Sequence, residues 1–279
     1  MSLNIKNSYG KSGVRILKII RNADRHELME FTVDIRLYGD FETAHTDGDN
    51  SLVLPTDTMK NTVYVLAKKH SFTSAEEFGK ILSKHFVSSQ PQIKKATVSL
   101  HERPWQRMSP GGKPDPFAFS QATGERYTTF VEYSSGGFHI KAGLDDLIIL
   151  KSTNSGFSGY VFDDYTTLKE TDDRVFATSL TATWTYNSDD ADFGSLRNDI
   201  RELLLKEFAA HHSLSVQHTL YAMAEKVLET FPQIDDIHMT MPNKHFLKFD
   251  LEPFGLENEN EIFYPIEEPY GLIDAKLSR

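Results

Sequence analysis

The tripeptide Pro-Gln-Ile stands at residues 91–93 and again at 232–234, an offset of 141 in a chain of 279 residues. Extending that register lays Ser74 to Trp105 on Ser215 to Phe246, and each stretch reads as a helix followed by a strand. Val98 and Leu100 then fall on Met239 and Met241, so the apolar alternation after each Pro-Gln-Ile stays in phase. A one-residue slip would turn every such side chain to the opposite face. A repeat at half the chain length points to one unit used twice. The expected domains are residues 1–136 and 137–279, each of ordinary size.

Each half orders its signals in the same way. In the first, Gly13 to Arg21 and Leu28 to Tyr38 alternate as two long strands joined by a polar turn from Asn22 to Glu27. An acidic, mobile loop is expected at Thr43 to Asn50, then helices over Asp57 to Lys69 and Ser74 to Val87. The second helix opens Ser74-Ala75-Glu76-Glu77, a capping box in which Ser74 and Glu77 are expected to satisfy each other's free backbone N–H groups. Strands follow from Lys94 to Arg107 and from Phe117 to Tyr133. In the second half, strands at Ile140 to Ser152 and Val175 to Tyr186 precede helices at Ser195 to His211 and Ser215 to Thr230, with strands to the end. The class is α+β: two tandem β-β-α-α-β-β units, each an antiparallel sheet with helices on one face. Strands of about ten residues or more exceed the usual five or six, as expected where sheets curl into a large barrel built by several subunits.

Composition narrows the function. The chain has no cysteine, which excludes disulfides, Cys-ligated zinc, iron–sulfur clusters and thiol nucleophiles. Thirty Lys and Arg against 40 Asp and Glu give a net charge of −10 with no block of five basic residues, which argues against a nucleic-acid partner. A few buried cations can still hold a small anion. No run approaches the roughly 18 apolar residues of a membrane span. The start, Met1-Ser2-Leu3-Asn4-Ile5-Lys6, lacks the apolar core of a signal peptide, so a soluble, intracellular protein without a membrane partner is expected.

Several motifs fail on inspection. Gly10-Lys11-Ser12 suggests a phosphate loop, but Ile5 stands where that loop needs glycine. Among the 11 histidines there is no His-Glu-x-x-His or His-x-His, and the neighbours His211 and His212 point to different sides of a helix end, so no metal site is expected. Ser155-Gly156-Phe157-Ser158-Gly159 approaches a hydrolase elbow without the helix that must follow.

Three polar clusters remain at breaks between regular elements, where functional groups concentrate. Pro55 to Thr62 opens a helix; Thr56 or Asp57 could simply cap it, or its free N–H groups could hold an anionic or carbonyl oxygen. Asp163 to Arg174 reads by default as a solvated loop closed by a surface ion pair to Arg174. Met241-Pro242-Asn243-Lys244-His245 puts a proline inside the repeated strand, which argues for an edge or a bulge, and His245 taken alone reads as structural.

At these clusters the sequence resembles the urate oxidase (uricase) family, cofactor-free enzymes that oxidise urate with molecular oxygen. The matching stretches include Tyr9-Gly10-Lys11, Thr56-Asp57-Thr58, Lys151-Ser152-Thr153-Asn154-Ser155 with Phe157, Tyr165-Thr166-Thr167-Leu168, Ser215-Val216-Gln217, Pro242-Asn243-Lys244-His245 and Gly255-Leu256-Glu257-Asn258. They keep the family's order along essentially the whole chain. The resemblance implies the tunnelling fold (T-fold): two such units per chain, a homotetramer forming a β-barrel tunnel, and active sites at subunit interfaces. It also implies that no cofactor and no metal is used.

The resemblance further implies roles for individual residues. Phe157 would be the ring on which flat urate stacks, Arg174 the guanidinium that clamps a carbonyl oxygen and the adjacent ring nitrogen, and Gln217 the amide pairing with the opposite edge. Backbone N–H groups of Asp57 and Val216 would complete the in-plane contacts, with Leu168 against the ring. Lys11, Thr56 and His245 match the catalytic relay. Lysine is a base only as the neutral amine, so this relay needs surroundings that favour that form, with Thr56 passing the proton. Asn243 and Thr56 would hold oxygen, and then the attacking water, over the urate face. Two departures stand outside this scheme: Phe162 where many members carry arginine, and Phe117 where histidine is usual. The terminus Lys276-Leu277-Ser278-Arg279 differs from the peroxisomal Ser-Lys-Leu address, so a cytoplasmic enzyme is expected. The competing readings are another purine or pterin enzyme of the T-fold, whose metal would want Cys or His ligands, and a purine-binding protein without turnover.

Overall fold

A computed structural model describes residues 5–121 and 124–279. The first half contains strands β1 (Tyr9–Arg21) and β2 (His26–Gly39), helices α1 (Glu42–Thr46), α2 (Thr56–Lys69) and α3 (Ala75–Ser89), then strands β3 (Ile93–Glu102), β4 (Trp105–Arg107), β5 (Phe119–Gln121) and β6 (Arg126–Ser134). The second contains β7 (Gly137–Lys151), β8 (Phe176–Tyr186), α4 (Phe193–Ala210), α5 (Val216–Thr230), β9 (Ile234–Lys248) and β10 (Phe263–Ser278). Helices α3 and α5 differ by 141 at both ends, and β3 and β9 begin at the two isoleucines of the repeated tripeptide. The β-β-α-α-β-β order is therefore present twice.

By its internal contacts the chain forms two compact units, residues 1–143 with 185–196, and residues 144–184 with 197–279. In the first, strands lie in the order β1-β2-β3-β6 and pair antiparallel. In the second the order is β7-β8-β9-β10, with β9 and β10 antiparallel. One face of the first sheet, Phe31, Val33, Ile35 and Leu37 of β2 and Ala96, Val98 and Leu100 of β3, is buried with Met59 and Val63 of α2 and Phe78, Leu82 and Phe86 of α3. Each of these side chains larger than Ala96 contributes about 1.5–3 kcal/mol of apolar burial. Met239 and Met241 of β9 are buried as fully as their counterparts Val98 and Leu100, and α5 packs on β9 as α3 packs on β3. The in-phase repeat thus marks the same core positions twice. A Cβ added to Gly79 of α3 would lie 2.6 Å from Val131 Cγ2, so glycine sets how closely that helix approaches β6.

Some local expectations change. Ser74 caps α3 by accepting from the Glu77 N–H at 3.2 Å, but the Glu77 carboxylate accepts from the Thr73 N–H at 2.6 Å, one residue before the partner a capping box requires. The start of the expected acidic loop is the helical turn α1. Pro242 is neither at an edge nor in a bulge of its own strand: β9 lies between β8 and β10, and the irregularity falls in β10, between Ile266 opposite His245 and Gly271 opposite Asn243. Residues 122 and 123, inside the strand expected from Phe117 to Tyr133, lie outside the described residues. No helix among the described residues is long and apolar enough to cross a membrane.

Candidate active site

The first unit assembles Lys11, Thr56 and Asp57. Gly10 passes so close to β2 that a Cβ there would sit 1.8 Å from the Ile35 carbonyl oxygen. Directly after it the β1–β2 register slips between Lys11 and Val14, and Asp34 accepts the Gly13 N–H at 2.7 Å. A bulge of this kind re-aims side chains, and here it sits at Lys11. Two residues earlier, Tyr9 stacks edge-on to Phe41 and its hydroxyl accepts the Leu54 N–H at 2.8 Å, which ties β1 to the segment leading into α2.

Helix α2 begins after Pro55 with no side-chain cap. Asp57, one of the two capping candidates, instead accepts from Lys60 at 2.5 Å and Asn61 at 3.0 Å. The Lys60 bond holds the Asp57 carboxyl below the usual carboxylate range, and Lys11 adds a smaller push in the same direction. The capping reading therefore fails, and the first N–H groups of α2, at Thr56 and Asp57, stay available to an incoming oxygen.

The second unit assembles the remaining residues around residues 152–175, the connection from β7 to β8. Phe157 and Thr171 exchange two backbone hydrogen bonds, at 2.7 and 3.1 Å, and the Arg174 N–H donates to the Ser155 carbonyl at 2.7 Å, closing the segment into a clasp. The clasp is anchored to the turn before α5: Gly156 donates to the Ser213 carbonyl at 2.8 Å and Ser213 to the Asn154 carbonyl at 3.0 Å. Helix α5 starts at Val216 and Gln217, with Ser215 as its cap, accepting from His218 N–H at 3.1 Å.

Arg174 overturns its default reading. It makes no ion pair among the described residues, while Asp173, the nearest acid in sequence, accepts from Thr153 at 3.0 Å. The guanidinium lies 5.5 Å from the Phe157 ring centroid, its Nε is buried without a hydrogen-bond partner, and burial lowers its affinity for its proton. A buried donor left unsatisfied costs about 1–3 kcal/mol, which a bound oxygen acceptor would offset. Arg174 opens onto a cavity of about 270 Å³ that Leu168, Asn243 and His245 also line. Asn243 and His245 are two apart on β9 and so share a face.

Five residues expected in the site thus meet in the second unit, Leu168, Arg174, Asn243 and His245 around the cavity and Phe157 against Arg174, while Val216 and Gln217 head the helix tied to the same clasp. Lys11, Thr56 and Asp57 form their own group in the first unit. The uricase family model matches residues 7–132 and 140–274, which span both groups. The chain belongs to the uricase family.

Uricase from Arthrobacter globiformis is 44% identical over 274 residues, covering 98% of this chain and 89% of that protein. Its crystal structure superposes with a TM-score of 0.95, covering 100% of this chain and 96% of that one. Uricase from Dictyostelium discoideum is 39% identical over 282 residues, covering 100% of this chain and 98% of that protein. The urate oxidase of Bacillus sp. TB-90, at 24% identity, keeps the fold with a TM-score of 0.85. The tandem T-fold expected for a uricase is therefore the fold of this chain.

Reading the sequence missed Tyr9, Ser213 and Tyr160 as organisers of the site. Ser213 is fully buried and accepts from Thr219 at 2.8 Å, and the Tyr160 hydroxyl donates to the Leu168 carbonyl at 2.8 Å. Their partners are 6 and 8 residues away across turns, beyond any helix or strand period. Only the presence of Tyr9 beside Gly10-Lys11 hinted at the first.

Proposed function

We propose that the chain oxidises urate with molecular oxygen and water to 5-hydroxyisourate and hydrogen peroxide, without a redox cofactor. The observation that carries this reading is the half-buried Arg174, unpaired at Nε, set beside the Phe157 ring and a cavity lined by Asn243 and His245. Urate is flat and ringed by donors and acceptors, so it needs one stacking surface and in-plane partners. Phe157 supplies the surface, Arg174 clamps a carbonyl oxygen and the neighbouring N–H edge, and Gln217 pairs with the opposite edge. The N–H groups of Asp57 and Val216 close the plane, and Leu168 packs at its side.

Lys11 and Thr56 take a proton from urate, and His245 belongs to the same relay. The resulting anion is rich enough in electrons to pass two of them to oxygen, which bonds to C5 as a hydroperoxide. Water held by Thr56 and Asn243 then attacks C5, and hydrogen peroxide leaves. Atoms balance with one oxygen and one water consumed for each peroxide released.

The same reading makes the protein a homotetramer in which Lys11 and Thr56 of one subunit complete the Phe157–Arg174–Gln217 pocket of another. In support, the clasp carries Val161 and Tyr165 at 90% exposure, Phe162 at 60% and Leu168 at 59%. Apolar side chains gathered on one loop mark a surface that a partner covers. The test is oxygen uptake with urate, with and without a metal chelator, while urate absorbance and peroxide are followed. Chelator-insensitive uptake yielding one peroxide per urate is expected; urate binding without uptake would leave a purine-binding protein, and chelator-sensitive uptake would overturn the cofactor-free mechanism.

A further inference from the structure

We propose that Tyr160 is a positioning residue for the substrate, holding the Phe157 ring ready for stacking; this rests on the reading of Phe157 as the substrate's platform. The Tyr160 and Phe157 rings stack with centroids 4.8 Å apart and planes 18° from parallel. Phe162 stacks on Tyr160 in turn, at 5.0 Å and 28°. Phe157 thus ends a column of three rings: Tyr160 covers one face, and in this reading the flat ligand takes the other, beside the Arg174 guanidinium 5.5 Å from the ring centroid.

Covalent and polar ties hold the column in place. Between Phe157 and Tyr160 the chain bends at Gly159, whose N–H donates to Glu170 Oε1 at 2.6 Å. The Tyr160 hydroxyl donates to the Leu168 carbonyl at 2.8 Å, so the same side chain that backs the ring also fastens the opposite arm of the clasp. Beyond the Phe157–Thr171 bridge there is no regular ladder in this clasp, so the stacked rings, more than the single Tyr160 hydroxyl bond, back the Phe157 plane. A platform already immobilised loses no rotamer freedom when the ligand arrives, and offset aromatic pairs add attraction beyond their buried area. Phe162, where many members of the family carry arginine, completes the column, so this chain backs its platform with stacked rings.

The experiment compares Tyr160→Ala, Tyr160→Leu, Tyr160→Phe, Phe157→Ala and the double variant Phe157→Ala/Tyr160→Ala. Each is assayed for KM and kcat with urate, for Kd by calorimetric titration with xanthine, which keeps the dione edge of urate and lacks its C8 oxygen, and for assembly by light scattering. Tyr160→Ala and Tyr160→Leu should raise KM and Kd about five- to tenfold and leave kcat within about twofold, while Tyr160→Phe keeps Kd within about twofold of the parent. In the Phe157→Ala background, Tyr160→Ala should change Kd by less than about twofold. Should Tyr160→Ala fail to assemble, Tyr160→Leu, which keeps bulk without a flat face, carries the same expectation. Wild-type Kd in the assembled Ala or Leu variant, together with weakened binding in Phe157→Ala, overturns the role of Tyr160 alone. An undiminished Tyr160→Ala effect in the Phe157→Ala background, or failed rescue by Tyr160→Phe, does the same. Unchanged xanthine binding in Phe157→Ala overturns the platform reading itself.

Discussion

The first hairpin of each unit closes in a different way. Strands β1 and β2 are joined by residues 22–25, whereas β7 and β8 are joined by residues 152–175. Downstream of the hairpins the units keep step, with α3 and α5, and β3 and β9, offset by the same 141 residues. The helices and strands cannot drift because their apolar faces make the core, and a slip of one residue would expose it. A connection is under no such constraint, since doubling its length costs only about 0.6 kcal/mol of closure entropy. One unit therefore keeps a tight turn, and the chemistry proposed for it lies on a bulge and a helix start, at Lys11 and Thr56. The other grew the clasp that carries Phe157, Leu168 and Arg174.

If Lys11 of the first unit handles the proton and Arg174 of the second holds urate, the two should fail in different ways, and that is the largest effect to look for. Lys11→Met should lower kcat by about 10²- to 10⁴-fold with KM within a few-fold. Arg174→Ala should raise KM and lower kcat together, because the guanidinium both binds and orients; we expect a loss of about 10²- to 10³-fold in kcat/KM. Steady-state kinetics of both variants decides, and matching defects would erase the division of labour. Mixing the two inactive chains should recover activity through interfaces that pair an intact Lys11 with an intact Arg174. No recovery despite proven subunit exchange would place the whole site within one subunit.

A smaller effect compares the repeated helix caps. Ser74 and Ser215 each accept the N–H three residues on, at 3.2 and 3.1 Å. Ser74→Ala and Ser215→Ala should each destabilise by about 1 kcal/mol in chemical denaturation. If one costs nothing while the other costs the full amount, the two helices are not equivalent in the folded state.

The smallest effect is in pH dependence. Burial lowers the pKa of His85 in the first unit and of His211 in the second below the ordinary 6.5, and neighbouring cationic groups act in the same direction. The unfolded chain then takes up these protons before the folded one does. Stability from both histidines is full above pH 6.5 and is lost as pH falls from there toward the lower folded values. Melting temperatures of His85→Gln and His211→Gln, followed from about pH 7.5 to pH 5.5, should each fall less steeply than the parent's. A parallel fall in either variant removes that histidine from the comparison.

Much of the fold is readable along the chain because its signals are local. Ser74 and Ser215 announce helix starts from within one turn, and the alternation around Val98 and Met239 marks core faces without knowledge of the partner. The errors share a physical cause. Glu77 could bond either Ser74 or Thr73, Asp57 could cap a helix or bond Lys60, and Arg174 could pair with a loop acid or stand alone. Each choice depends on where other segments place a competing group. The Pro242 strand departs from expectation for the same reason, since whether β9 is an edge depends on β8 and β10 flanking it.

The sequence by itself determined a duplicated α+β chain without cysteine chemistry, the register of its two cores, and, through its resemblance to uricases, the residue types of the site. Periodicity and side-chain chemistry suffice for these because they act over a few residues. Tertiary structure alone decided that Arg174 is left unpaired at Nε beside Phe157, that Asn243 and His245 share its cavity, and that Tyr160 backs the ring. A buried group left without a partner is a property of everything around it, and no stretch of sequence records that.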